Sequence, residues 1–182
     1  MDVVAQDALA NDETLALAHL SRGRLDEAFA LFSEVREGLF EMGPAVPWID
    51  GWTLPFLAHV AEVIGDMETA TELVEQMLAR PRTLCHWGGV LVGAAVRRRT
   101  GDLEGAGELL TEAEQRAPVL GHSWLGSWLH SERGLLALAL GQDPLPHLDR
   151  CRENIEELGD LMDHALPLVR LRVLEEAVSA AR

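Results

Sequence analysis

The segment AAVRRRTGDLEGA, Ala94 to Ala106, decides the fold. An apolar helical stretch ends in a basic turn, a glycine and an aspartate follow, and a second helical pattern begins. Glycine at that point supplies a left-handed C-cap, and the aspartate beside it can accept the orphan N–H bonds of the next helix. The arrangement recurs upstream as AHVAEVIGDMETA, Ala58 to Ala70, and as ALAHLSRGRLDEA, Ala16 to Ala28. A fourth copy, GLLALALGQDPLP, runs from Gly134 to Pro146. In each copy a small residue stands seven positions before the glycine: Ala16, Ala58, Ala94 and Gly134. In three copies an alanine stands five positions after it, at Ala28, Ala70 and Ala106. The turn glycines Gly23, Gly65, Gly101 and Gly141 are 42, 36 and 40 residues apart, a period that signals stacked helical units.

Outward from these turns the periodicity stays helical almost from end to end, with no convincing apolar–polar alternation. Turn signals divide it into nine expected helices: 4–21, 25–41, 48–64, 67–79, 83–99, 103–116, 123–140, 145–158 and 163–180. Ala117-Pro118 is read as one of the breaks, and Pro144 with Leu145 as the first turn of the eighth helix. Short connections make sequential helices antiparallel neighbours. The small residues on both sides of a turn then let two backbones approach, with larger residues such as Leu25, Phe32, Leu103 and Leu110 filling the space beyond.

This signature resembles the tetratricopeptide repeat (TPR) from about Asp12 to Gly159. Copies one to three carry its small residue, turn glycine and second-helix alanine, and Phe32, Leu110 and Ala113 fit further positions of the pattern. The fourth copy departs: Pro146 stands where alanine is expected, and the fit recovers with a two-residue shift that brings in Leu148. The early tryptophan of the family is also missing from its usual site. The resemblance implies an all-α fold, a TPR-like right-handed α-solenoid of about four helix pairs with a C-terminal capping helix. It reads as one domain, 1–182, with repeats at 4–43, 44–80, 81–118 and 119–160 and the cap at 161–182. Gly121-His122-Ser123-Trp124 and Glu157-Leu158-Gly159-Asp160 are further similar to the repeat boundaries of large bacterial regulators of the MalT/LuxR and antibiotic-regulator type. In those proteins such arrays accompany an ATPase switch and a DNA-binding domain, but this sequence contains neither GxxxxGK[ST] nor a basic helix-turn-helix.

Composition narrows the function. Lysine and tyrosine are absent, so all 15 basic residues are arginine and neither a Schiff-base nor a P-loop lysine exists. A net charge of −15 disfavours nucleic acid and anionic membrane as direct partners. Cys85 and Cys151 form no CxxC unit, and no leader with a basic start and long apolar stretch is visible, so a cytoplasmic location with reduced thiols is expected. The seven histidines lack metal-ligand spacing, and no cofactor is expected.

The TPR register assigns the concave face. It points Trp52, His59 and Glu62 in copy two, Arg98 and Arg99 in copy three, and Trp128 and Ser131 in copy four toward a protein segment or peptide. Trp48/Trp52 and Trp124/Trp128 are pairs one helical turn apart in the same register, so they line either this groove or the core between repeats. Arg98 and Arg99, within the basic cluster Arg97–Arg99, could clamp a carboxylate or phosphate, or simply complement a helix dipole. The expected function is non-catalytic binding in a bacterial transcription-regulation setting. The alternative is a small-molecule-sensing or catalytic pocket walled by Trp52, His59, Trp87 and Trp128, with His59 and Glu62 as the first acid–base pair to suspect. Self-association into a homodimer through the terminal helix is a third expectation.

Overall fold

A computed structural model describes residues 3–41, 47–80, 84–120, 123–158 and 165–181. Among the described residues the chain is all-helical: α1 (Val3–Ser21), α2 (Leu25–Glu41), α3 (Pro47–Ile64), α4 (Met67–Leu78), α5 (Leu84–Thr100), α6 (Leu103–Leu120), α7 (Ser123–Ala139), α8 (Leu145–Leu158) and α9 (Ala165–Ala180). These are the nine helices read from the periodicity, with one clear difference. Helix α6 continues through Ala117-Pro118 to Leu120 instead of ending before it. A proline this near a helix end forfeits a single ladder bond, which the flanking turns outlast.

The turns carry the local logic. Gly23, Gly65, Gly101 and Gly141 all have positive φ, between 69° and 92°. At each, the glycine N–H donates to the carbonyl three residues back, and the next N–H donates to the carbonyl five residues back, as in Asp66 to Ala61 and Asp102 to Arg97, both 2.9 Å. This double bond is the Schellman C-cap, which satisfies the last carbonyls of a helix and needs a left-handed residue. The aspartates then start the following helix. Asp66 Oδ1 accepts from the Thr69 N–H at 3.1 Å and Asp102 Oδ1 from the Gly105 N–H at 2.9 Å. The Thr69 bonds hold the Asp66 carboxyl below its ordinary value.

The fourth turn is longer by two residues. In copies one to three the first helical bonds run Ala28 to Arg24, Ala70 to Asp66 and Ala106 to Asp102; in copy four Leu148 N–H donates to Pro144 at 3.1 Å. Leu148 therefore occupies the alanine position, as the two-residue shift requires, and is buried there.

The chain divides into two compact units, Met1–Val92 and Gly93–Arg182, with the boundary inside α5. In the first, α1 packs on α2, α2 on α3 and α3 on α4. Its core includes Leu20, Phe32, Leu57, Leu73 and Met77, and Phe32 stacks on Phe56 at 5.7 Å. Gly88 of α5 faces the proline inside α3: a Cβ there would lie 2.6 Å from the Pro55 ring. In the second unit α7 is central, touching α6, α8 and α9. Leu135, Leu148, Leu174 and Val178 pack together around it. The signature residues Ala16, Ala28, Ala58, Ala70, Ala94 and Ala106 are all at most 1% exposed, so their size matters to packing.

Candidate functional site

A Cβ on Gly134 would lie 2.7 Å from Leu174 Cδ1, so the missing side chain admits α9 against α7. The repeat register assigns this space to the α7–α8 approach; Leu174 of α9 fills it instead. One turn before Leu174 stands Arg170, and this docking carries its guanidinium to Glu132. Arg170 Nη1 donates to Glu132 Oε1 at 2.5 Å, and Arg98 of α5 donates through Nη2 to Oε2 at 3.2 Å. Arg170 also lies over the Trp128 ring, 5.2 Å from its centroid, while Ser131 Oγ donates to the Arg170 carbonyl at 2.9 Å. Glu132 and Arg170 are each 1% exposed. A carboxylate so enclosed must have both oxygens satisfied, and two guanidinium groups do so; breaking such a set costs far more than forming it gains. Chemically the cluster is a brace between helices, with its acceptors already occupied.

Three residues singled out from the sequence thus converge here: Arg98, Trp128 and Ser131. The carboxylate that Arg98 holds is the chain's own. Arg99 is exposed and does not share that contact with Glu132, so the two arginines do not act as one clamp. Glu132 and Arg170 were missed. Their signal was a single acid on an apolar helix, one turn after Trp128, and a single arginine in Leu168-Val169-Arg170-Leu171.

In the first unit His59 and Glu62 share a face as their spacing requires, with Nδ1 to Oε2 at 3.7 Å, and both are buried. Thr53, also buried, donates to Glu13 Oε1 at 2.8 Å and ties α3 to α1. The expectation that His59, Glu62, Trp128 and Ser131 point into an open groove meets a plain correction: all four are at most 2% exposed. The reason is that α3 and α7 are flanked by other helices of their own units, so these faces turn inward. The side chains of Trp48, Trp52 and Trp124, and the segments 121–122 and 159–164, lie outside the described residues. Trp87, the remaining wall of the alternative pocket, is 4% exposed and belongs to the first unit, whereas Trp128 belongs to the second. Among the described residues no three His, Cys, Asp or Glu side chains are placed to hold a metal ion, and no helix is long and apolar enough to cross a membrane.

An open feature lies between α6 and α7. It is a groove of about 690 Å³ whose apolar lining is Leu103, Leu136 and Leu140, with Gly107 among them. Leu136 is buried beneath it, and Leu140 is 48% exposed. Glu104, Glu108 and Glu112 line the α6 side. The cation on the α7 side, Arg133, is already engaged, donating to Glu114 Oε2 at 2.8 Å and to Thr111 Oγ1 at 3.0 Å. Beyond it His130 stacks on His147 of α8 at 6.0 Å. Burial, then His147 and Arg150, lower the His130 pKa; burial, then Arg133, lower that of His147. Burial also pushes the Cys151 thiol up to about 11, leaving an inert donor to the Ser127 carbonyl at 3.3 Å. Comparison with protein-family models and with curated protein sequences returns no match to this chain.

Proposed function

We propose that this chain is a TPR-like right-handed solenoid of helix pairs closed by α9, and that it serves as a non-catalytic module binding a protein segment or peptide in a bacterial regulatory setting. The array reading is supported by four turns built on one hydrogen-bond pattern and by the burial of every small signature residue described. The regulatory setting is supported by the resemblance alone. The binding reading is carried by one observation: the α6/α7 groove is apolar at its base and open to solvent, while the tryptophan and histidine candidates with described side chains are buried, Arg98 is half-buried against Glu132, and Arg99 lies elsewhere on the surface. An apolar groove base with one exposed leucine, Leu140, rimmed by polar side chains, suits an interaction surface. Catalysis at His59 and Glu62 would require substrate to reach two buried side chains.

Selection of a random peptide library on the folded chain tests this. Enriched peptides should shift the backbone amide resonances of Leu103–Gln115 and Arg133–Leu140. Selection that enriches nothing over an unrelated helical protein, or shifts confined to other surfaces, would overturn the assignment.

A further inference from the structure

We propose that the α6/α7 groove receives a basic amphipathic helix from another protein. This rests on reading the groove as the peptide site and names the chemistry of its occupant. Two independent observations carry it.

The first is the register of charge. Glu104, Glu108 and Glu112 recur every four residues, so they form one stripe along α6, each about 6 Å from the next. Glu104 and Glu108 are exposed and form no ion pair among the described residues. The one cation of the lining, Arg133, is paired with Glu114. The wall therefore presents net negative charge above apolar side chains, and its complement is a cationic row beside an apolar row. A helix with basic residues one turn apart reproduces that spacing.

The second is Gly107. Glycine inside a helix costs stability and normally has a packing reason. For Gly38, Gly88, Gly89 and Gly134 that reason is on view: a Cβ at any of them would come closer than 3.0 Å to a packed apolar side chain, whereas at Gly105 and Gly126 it would meet the polar ends of Asp102, Arg97 and Asn154. Gly107 is different. Its Cβ would meet only Leu136 Cδ2, at an ordinary 3.8 Å. Nothing within the unit requires its bareness, yet it sits in the groove, where it allows a second helix to approach the α6 backbone.

Three synthetic helical peptides of about 18 residues, long enough to follow α6, provide the test. They share leucines at i, i+3, i+4 and i+7 and differ only in the flanking residues: arginine, glutamine or glutamate. Fluorescence anisotropy against the full chain should show the arginine peptide binding at least tenfold tighter than the glutamate peptide. Glu104→Gln/Glu108→Gln/Glu112→Gln should weaken it about tenfold, the combined effect of the exposed Glu104 and Glu108 with the half-buried Glu112. The same three changes at the exposed Glu68, Glu72 and Glu75 should leave it unchanged. Gly107→Leu should abolish binding while helical content and melting stay intact. Equal binding of all three peptides, lost in Gly107→Leu, would overturn the basic partner and leave the groove as a peptide site. Binding of the arginine peptide that survives both groove variants, or falls equally in the distant triple variant, would overturn its placement here. Binding of none would overturn both readings.

Discussion

Gly134 and Gly107 are the same residue in neighbouring helices of one compact unit, and they do opposite things. At Gly134 the missing side chain is occupied by Leu174, and the helix that fills the gap brings Arg170 to a buried carboxylate. At Gly107 the missing side chain leaves open space above an apolar base with carboxylates beside it. The same contrast holds for charge. Glu132 is enclosed with both oxygens bound by arginine, whereas Glu104 and Glu108 face solvent. A glycine or a glutamate on a helix therefore says little about its role until the neighbouring helix is in place. Where the neighbour closes over it, the residue stabilises the fold; where none does, it remains available to a partner.

The largest expected effect tests the closed side. Glu132→Ala leaves two guanidinium groups facing each other, one of them fully buried, and should destabilise the second unit by about 3–5 kcal/mol. Urea unfolding measures this, and a loss under 1 kcal/mol would mean that the arginines find water instead. Gly134→Leu comes next. It must displace Leu174 from a fully buried position and should cost about 1–3 kcal/mol. Pairing it with Leu174→Ala should recover part of that loss, whereas additive losses would show that Gly134 does not admit α9 as described.

Gly107→Ala should have the opposite sign. The new Cβ meets no obstacle, and removing a mid-helix glycine should stabilise the chain by about 0.5–1 kcal/mol. A destabilised Gly107→Ala would erase the contrast, because it would reveal a packing demand like that at Gly134. The smallest effect concerns pH. His130 and His147 both titrate below the ordinary 6.5 in the folded chain. The unfolded chain therefore binds more protons in that range. The stability they contribute is complete above pH 6.5 and is lost as pH falls through their lowered values. Thermal melting from pH 7.5 to 5 should show a decline that His130→Gln reduces; the same slope in the variant would assign the decline to other groups.

Much of this molecule is legible along the chain. The helices, the four left-handed glycines, the caps at Asp66 and Asp102 and the two-residue lengthening before Leu148 all depend on groups within a few positions of one another. Helical periodicity and capping chemistry act over that distance, so sequence determines them by itself. The burial of the small signature residues follows too, because their size only makes sense where backbones approach. Tertiary structure decided the rest. Arg170 meets Glu132 across 38 positions, and Leu174 fills the space at Gly134 across 40. Whether Trp128 and His59 line a groove or a core turned on which helices flank α7 and α3. Gly105 and Gly107 look alike in sequence, yet a Cβ on the first would meet Asp102 and Arg97, and one on the second only Leu136 of α7 at 3.8 Å. Side-chain burial and pairing are set by the neighbouring helix, and its identity is not encoded in any local spacing.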